Sequence, residues 1–382
     1  MKKAWKIMGL ICILAILVSC AVPEVTLPES VAQSPAVVPA SERPTPDPPA
    51  ERPTPLPSVE PEESAPCTVE MLDVGQGLSV LIGVDGEYLL YDGGGRETSS
   101  YVVSVLRERG ITNLRYMVAS HYDEDHISGL VGVLATCQVD EAITPDYEVD
   151  TKIYQSFQTG LAESGAEVLH PQVGDSFSLG SGSFQILSPN SWDYPDENDR
   201  SVAIRLTYGK FSCVLTGDAQ TAAEADMVSS GLPLSATIYV AGHHGSSSSS
   251  SLPFLKRVSP NYGFISCGAD NAYGHPAQQT MDALHGIGAE IFRTDKQGAV
   301  TAYTDGETLW FSQDPCGDWS AGGTAAAPDG EAGYVLNVKS MKFHRPDCDS
   351  VSQMNPANRI DTAESRESLI RQGYSPCGSC KP

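Results

Sequence analysis

The amino-acid sequence predicts a large α/β domain followed by a small cysteine-containing domain. Several short apolar runs end in Asp, His or Gly, as strands do when their ends build a site at the edge of an open α/β sheet. A segment rich in Gly and Ala, 317–333, separates residues 67–316 from residues 334–382 and predicts a flexible linker. Once a signal segment and a spacer are set aside, about 315 residues remain, which is typical of one large and one small domain.

Residues 1–20 predict export from the cytoplasm. Three lysines precede an apolar run at 7–18, which is shorter than the roughly 20 apolar residues that cross a bilayer. The run leads into Leu-Val-Ser-Cys, which resembles a bacterial lipobox and implies lipid attachment at Cys20; an ordinary signal with a chance cysteine is the alternative. Residues 21–66 are rich in Pro and poor in aromatic residues, so we expect a disordered spacer. The expected location is the extracellular face of the cytoplasmic membrane, with the lipid anchor as the membrane contact.

The net charge of the chain limits its partners. A formal charge of -24 argues against a protein that holds nucleic acid by broad electrostatic attraction, because that requires Lys and Arg on one face. A metal-dependent nuclease is not excluded, since divalent cations can supply the missing positive charge. No protein partner is inferred from the sequence.

The densest group of metal-binding side chains comprises His121, Asp123, Asp125 and His126. It follows the apolar run 114–120, which predicts a buried strand with these side chains on the loop at its end. Two imidazoles and two carboxylates in six residues are typical of a metal-dependent hydrolase. The alternative is a solvated acidic loop with incidental histidines.

Three more predicted strand ends carry similar side chains. A hairpin with a turn at Asp85-Gly86 ends in Asp92 and three glycines, where Asp92 can orient a ligand histidine; a plain hairpin exit is the alternative. A second hairpin, 201–215, is followed by Asp218, and a strand at 237–241 leads to His243 and His244. Buried Asp and His are costly unless they are paired or bind a metal, so these strand ends predict one shared site.

These motifs together resemble the metallo-β-lactamase fold and, within it, the branch formed by the extracellular domain of the ComEC competence proteins. The resemblance covers roughly residues 68–311 and rests on MLDVGQGLSVLI, YDGGG, SHYDEDHISGL, NDRSVAIRLTYG with VLTGDA, AGHHGSSSS and ISCGADNAYGHP. It implies a four-layer αβ/βα sandwich with metals at the sheet edges.

The resemblance also implies two divalent metal ions, either Mn2+ or Zn2+, with Mg2+ as a further option. His121 and Asp123 would bind the first metal, Asp125 and His126 the second, and Asp218 would bridge them. His243 or His244 would complete the site. Neighbouring strand residues point to opposite faces, so we expect only one of this pair to face the metals and favour His243.

The sequence departs from the most familiar members of the family in two ways. Asp123 replaces a histidine, which makes the ligand set harder and favours Mn2+ or Mg2+ over Zn2+. The chain also has no histidine between His170 and His243, where zinc-type members carry one, so the first metal is expected to be weakly held. Asn198, Asp199 and Ser201 occupy that region as oxygen ligands or phosphate contacts, or simply as a polar turn.

Three further features lie outside the ligand set. His275 is expected to contact substrate or to protonate a leaving group, and with Asp125 it is assigned to catalysis. A helix is predicted at 280–291. The serine run 246–251 predicts a flexible surface loop.

The small domain carries four side chains with the spacing of a zinc site. They are His344, Cys348, Cys377 and Cys380, and one His with three Cys forms a closed tetrahedral Zn2+ set. A disulfide is the alternative. Two cysteines separated by two residues are better placed to bind one metal ion, and so small a domain needs a cross-link of this kind for stability. The segment resembles the metal-binding domain of the Ada DNA-repair protein, with His344 where Ada has a cysteine, so we infer a structural zinc.

The resemblance implies an extracellular hydrolase in which a metal-activated water attacks a phosphodiester, DNA above all. The second interpretation is a lactonase or β-lactamase. The carboxylates in the ligand set argue against it. The third is a surface DNA-binding or uptake module with a weakened metal site.

Overall fold

The computed structural model describes residues 65–323, 334–346, 348–362, 369–370, 373–378 and 380. The predicted signal segment, Cys20 and nearly all of the spacer lie outside these residues. Within them, no helix is both long and apolar enough to cross a bilayer.

The large domain consists of strands and helices that mostly match the apolar runs of the sequence. Its strands are β1 (Cys67–Met71), β2 (Val80–Val84), β3 (Glu87–Tyr91), β4 (Asn113–Val118), β5 (Gln138–Ile143), β6 (Glu167–Leu169), β7 (Ser176–Leu179), β8 (Gly182–Ser188), β9 (Ala203–Tyr208), β10 (Phe211–Leu215), β11 (Ile238–Val240), β12 (Tyr262–Ile265), β13 (Glu290–Arg293), β14 (Val300–Thr304) and β15 (Leu309–Phe311). Its helices are α1 (Ser99–Glu108), α2 (Glu124–Leu134), α3 (Lys152–Ser164), α4 (Thr221–Ser229), α5 (Leu252–Val258), α6 (Gln278–Gly286) and α7 (Thr294–Gln297).

Two large sheets form the middle of the domain. The first has the order β15-β14-β1-β2-β3-β4-β5-β6 and the second the order β13-β12-β11-β10-β9-β8-β7. Alternation along each strand decides which side chain faces which layer: Val80 and Ile82 join the core between the sheets, whereas Leu81 joins the core under the helices. The turn at Asp85 and Gly86 has φ of 51° and 87°, which suits the tight hairpin between β2 and β3.

Three apolar clusters hold the layers together. One lies between the two sheets, one joins the first sheet to α1, α2 and α3, and one joins the second sheet to α4, α5 and α6. The layers therefore run helix, sheet, sheet, helix. The predicted four-layer αβ/βα sandwich is confirmed.

Parallel pairing brings the important strand ends to one edge. β3 pairs with β4 in parallel, and β10 pairs with β11 and β11 with β12 in the same way. The carboxyl ends of parallel strands meet at one edge of a sheet, so the loops after β3, β4, β10, β11 and β12 can meet across the sandwich.

Two expectations differ from the structure. The predicted helix at 280–291 ends at Gly286, because residues 290–293 pair with β12 as strand β13. The predicted linker is also not free over its first part: the buried Arg293 guanidinium donates to the carbonyls of Asp318 and Ser320, and Gly322 N donates to Pro276 O over 2.9 Å.

The C-terminal segment has its own sheet. Its strands are β16 (Tyr334–Asn337), β17 (Lys342–His344), β18 (Arg359–Thr362) and β19 (Ser375–Pro376), in the order β18-β16-β17-β19, with the short helix α8 (Asp349–Ser352). Leu336, Phe343 and Leu369 form a small apolar cluster beside it.

Candidate metal centre

The predicted ligands of the large domain gather at the edge where the parallel strands end. His121 follows β4, and Asp123 directly precedes α2. Asp125 and His126 lie in the first turn of α2, and not on a loop as the sequence predicted, because the helix begins at Glu124. Asp218 follows β10.

Asp92 orients His126. Its Oδ2 lies 2.8 Å from His126 Nδ1, while Oδ1 accepts from Ser120 N over 2.7 Å. Since the carboxylate accepts the proton of Nδ1, the Nε2 of His126 carries the lone pair that can bind a metal. The close approach of this strand end to α2 requires glycine, because a Cβ at Gly93 would lie 2.5 Å from Leu130 N.

The other two histidines nearest the centre are oriented in a similar way. His244 Nδ1 lies 3.1 Å from Ser266 O, which can only accept, so His244 also presents Nε2 as its lone pair. His121 Nδ1 lies 2.9 Å from the hydroxyl of Ser120. Sequence reasoning missed Ser120 and Ser266, because a serine beside a motif has no signal of its own until its contact is known.

The Nε2 atoms converge on two carboxylates. His126 Nε2 lies 3.3 Å from Asp218 Oδ1, and His244 Nε2 lies 3.5 Å from Asp218 Oδ2 and 3.3 Å from Asp125 Oδ2. His121 Nε2 lies 3.9 Å from Asp218 Oδ2 and 3.6 Å from Asp123 Oδ2. Two overlapping ligand groups result, each with its ligand atoms within 4.8 Å of one another: His121, His126 and Asp218, and Asp125, His126 and His244.

These residues fit divalent metal ions. The Nε2 atoms of His126 and His244 are 3.3 Å apart, a distance at which two lone pairs repel unless a proton or a cation lies with them. His121 Nε2 is buried and has no hydrogen-bond partner among the described residues, which is costly for an atom that does not bind a metal. Imidazole and carboxylate together suit Zn2+ and Mn2+.

The pKa shifts of the buried side chains at this centre also indicate a site for cations. Burial by itself lowers the pKa of His126 and of His244, but the carboxylates of Asp218 and Asp125 raise both, that of His244 to about 9. Burial raises the pKa of Asp218, and the neighbouring histidines more than offset this and hold it well below its usual range. Without a metal, protons on the histidines balance the buried carboxylates.

His243 and His244 are both placed at the centre, so the expectation that only one can face it is wrong. The pair lies beyond the end of β11, with φ of 51° and 57°, and the alternation of a strand does not apply there. His243 Nε2 is 3.6 Å from Asp218 Oδ2. His244, and not the favoured His243, is the one within reach of both carboxylates and His126.

The three polar residues before β9 have separate places. Asp199 Oδ1 accepts from the backbone N of Gln220 and Ala223 at the start of α4, so it caps a helix and is not placed as a ligand. Ser201 Oγ accepts from Asp218 N over 3.2 Å and so helps to position that carboxylate. Asn198 lines the cavity that opens over the centre.

A cavity of about 420 Å³ opens over the centre. His275 lines it, with its ring centroid 5.6 Å from that of His243 and 5.7 Å from that of Tyr273. The lining residues are Gln76, Asp123, Asp125, Pro195, Asp196, Glu197, Asn198, Asp218, His243, His244, Tyr273, His275 and Ile370. Carboxylates are abundant among them, and neither Lys nor Arg occurs in this described set, so an anionic substrate needs cations here.

The serine run is not the flexible surface loop that its composition predicted. Ser246, Ser249 and Ser250 are buried. Ser249 Oγ donates to Ala219 O over 2.8 Å, and Ser248 Oγ lies 3.2 Å from His243 Nδ1. The run is a hydrogen-bonded wall behind the histidine pair, because small hydroxyls can satisfy closely spaced backbone groups.

The C-terminal segment holds a second cluster. The ligand atoms of His344, Cys348, Cys377 and Cys380 lie within 4.8 Å of one another, and no disulfide joins these three cysteines. Cys348 Sγ is 3.5 Å from His344 Nδ1. Three thiols and one imidazole are the donor set of a tetrahedral zinc site.

Comparison with known families agrees with this geometry. Residues 72–269, which hold the ligands at the sheet edge, match the metallo-beta-lactamase superfamily. The chain belongs to this superfamily. It therefore has a hydrolase fold that binds divalent metals.

The resemblance to competence proteins is also confirmed. The chain is 32% identical to competence protein ComA of Neisseria gonorrhoeae over 244 residues and 27% identical to ComE operon protein 3 of Bacillus subtilis strain 168 over 250 residues. The alignments cover 63% and 61% of this chain but 32% of each relative. The chain thus spans about a third of the length of these relatives. Among solved structures, the metallo-beta-lactamase fold protein YhfI from Bacillus subtilis matches 64% of this chain and 100% of its own, at 14% identity and a TM-score of 0.43.

Proposed function

We propose that this protein is a metal-dependent phosphodiesterase that cleaves DNA outside the cell, tethered through a lipid on Cys20. The observation that carries the proposal is the pair of ligand groups that share His126, beside a cavity lined with carboxylates. The carboxylates of Asp123, Asp125 and Asp218 favour Mn2+ or Mg2+, the ions most used with phosphate substrates.

In this proposal, following the family resemblance, the side chains form two sets of ligands. His121 and Asp123 would hold the first ion and Asp125, His126 and His244 the second, with Asp218 between them. When bound, such ions supply Lewis acidity at a phosphoryl group and an activated water as nucleophile. Asp92, Ser120 and Ser266 keep the imidazoles in the orientation that this requires.

The relatives support DNA as the substrate. They carry the names competence protein and, for a relative from Haemophilus influenzae that is 32% identical over 237 residues, recombination protein 2. The cavity by itself would repel a phosphodiester, because Asp196 and Glu197 join the ligand carboxylates in its lining. Cleavage should therefore depend strictly on added metal.

The C-terminal domain has a structural role in this proposal. One Zn2+ held by His344, Cys348, Cys377 and Cys380 would staple a domain whose apolar core is small. We thus propose a lipid on Cys20 as the membrane anchor and a structural Zn2+ in the C-terminal domain.

Cleavage of fluorescent single- and double-stranded DNA by the purified protein tests the function. Activity is expected with Mn2+ or Mg2+, and none with EDTA. Asp218→Ala should lose at least about 10³-fold, because Asp218 belongs to one ligand group and lies 3.3 Å and 3.5 Å from His126 and His244 of the other. Asp314→Asn, which changes an exposed carboxylate far along the chain, is the matched control and should keep full activity. DNA binding without cleavage under every metal would contradict the proposal and favour a binding module.

A further inference from the structure

Gln76 lies in the loop between β1 and β2 and lines the same cavity as His275. Its side chain reaches two groups. Gln76 Oε1 is 3.2 Å from Gly268 N, and Gln76 Nε2 is 3.3 Å from His275 Nδ1. The amide therefore joins the first sheet's loop to the loop that follows β12.

The direction of these hydrogen bonds is set by chemistry. A backbone N–H can only donate, so the amide atom that faces Gly268 N must be the carbonyl oxygen. The amide NH2 then faces His275 and can only donate. His275 Nδ1 must accept, and an imidazole nitrogen that accepts carries no proton.

A neutral His275 consequently has its proton on Nε2. This is the reverse of His126 and His244, whose Nδ1 atoms face the acceptors Asp92 Oδ2 and Ser266 O. Those two histidines present Nε2 as a lone pair for a metal. His275 presents an N–H, which a metal cannot use but a substrate oxygen can.

The surroundings of His275 hold this arrangement in place. Asn271 Oδ1 accepts from His275 N over 3.0 Å, and Asn271 Nδ2 donates to the carbonyls of Gly268 and His275. A Cβ at Gly268 would lie 2.8 Å from Gln76 N, so glycine permits the close approach of the two loops. Gly322 N donates to Pro276 O and braces the far side of the loop.

We propose that Gln76 is a positioning residue that keeps His275 as a neutral imidazole protonated on Nε2, which makes His275 a hydrogen-bond donor to the substrate and excludes it from the metal ligands. A neutral imidazole can stabilise developing negative charge by donating such a bond without giving up its proton. The role of His275 in turnover rests on the proposed phosphodiesterase function. The position of the proton on the His275 ring is independent of that function.

The first test reads the tautomer directly. Ring-15N-histidine labelling of the metal-free protein, at pH 8.5 and with His275→Ala to assign the signal, should show the His275 proton on Nε2. In Gln76→Glu both side-chain oxygens accept, and the proton should move to Nδ1. A proton on Nδ1 in the unaltered protein would overturn the proposal.

The second test asks whether Gln76 acts through His275. At pH 8.5, with the metal that supports DNA cleavage, Gln76→Glu should lower kcat by about 10²-fold with little change in KM, as loss of a transition-state donor does. In a His275→Ala background the same change should cost less than about twofold, because the two residues then act as one unit. Gln172→Glu adds the same charge at an exposed position and should leave kcat unchanged.

The outcomes separate the two proposals. Equal losses from Gln76→Glu with and without His275 would mean that Gln76 acts elsewhere, and would overturn the positioning role. An absence of cleavage under every metal would overturn the proposed function, while the NMR spectrum of the metal-free protein would still decide the tautomer. Equal melting temperatures of all variants would show that the losses are not failures of folding.

Discussion

Asp92 shows how one carboxylate can orient a metal site without entering it. It is completely buried, and its two oxygens are used by Ser120 and His126. A buried charge is tolerated only when it is paired, and here the imidazole of His126 provides the pairing. The sequence offered Asp92 as a partner for a ligand histidine, but only the contact identifies which histidine.

We predict that Asp92→Asn weakens metal binding by about 10- to 100-fold, the usual cost of losing the partner of a ligand histidine. The amide is nearly isosteric but carries no charge, and it can turn its NH2 toward Ser120 or His126. The dissociation constant for Zn2+ or Mn2+, measured by competition with a chelator, gives the result.

Asp314→Asn is the matched control for that change, since Asp314 is exposed. It should bind metal as the unaltered protein does. An Asp92→Asn protein of unchanged metal affinity would show that His126 is oriented without help from the carboxylate.

At the scale of elements, the segment between β11 and α5 is the least expected part of the fold. Glu224, in α4, is fully buried and accepts from Ser250 N over 2.5 Å and from Ser251 N over 2.9 Å at the start of α5. The Glu224 carboxylate thus links α4 to the serine run and to the start of α5. Composition could not predict this, because the acceptor is more than twenty residues away in the chain.

Burial raises the pKa of Glu224 from 4.5 to about 7. The native state therefore binds this proton more tightly than the unfolded state, and its contribution to stability is full below pH 4.5 and is lost as the pH rises through 7. The loss is on the order of 3 kcal/mol at about 1.4 kcal/mol per pKa unit.

We predict that Glu224→Gln removes this part of the pH dependence. Urea unfolding in EDTA at pH 5 and pH 8 should show a fall in unfolding free energy between the two conditions that is smaller in the variant, by up to about 3 kcal/mol. Other titrating groups affect both proteins alike and cancel in the comparison. Glu163→Gln, on the exposed face of α3, should keep the full dependence. An equal fall in Glu224→Gln would refute the assignment.

At the scale of the whole molecule, the chain combines two candidate sets of metal ligands that differ in their donor atoms. The set at the sheet edge combines imidazoles with carboxylates and opens into a cavity. The C-terminal set has three thiols, beside a small apolar cluster. Thiolates select Zn2+, whereas carboxylates accept harder ions, so the two sets can be loaded separately.

We predict that Cys377→Ser lowers the zinc content by about one ion per chain and leaves Mn2+ binding at the sheet edge unchanged, because a three-ligand remnant holds zinc poorly. Metal analysis of the purified protein after equilibration with limiting zinc gives the count. Cys137→Ser, a half-buried thiol of the large domain, should lose no zinc. Unchanged zinc in Cys377→Ser would contradict the C-terminal site.

Much of the fold was predictable because its strands are apolar runs with a period of two and its turns use Gly and Asp. The hairpin of β2 and β3 and that of β9 and β10 follow from this pattern. The end of α6 was not predictable, since the local pattern of residues 290–293 allows a helix or a strand and pairing with β12 decides between them. Tertiary contacts override local preference at such places.

The sequence by itself determined the order of the strand-end motifs and the donor types of both candidate ligand sets, since these depend on local periodicity and on side-chain chemistry. The sandwich was predicted through the resemblance that these motifs carry. Tertiary structure alone decided that His244 reaches both carboxylates, that Asp199 caps α4, and that Gln76 meets His275. These are meetings of residues distant in sequence, governed by backbone angles and strand pairing that no local pattern records.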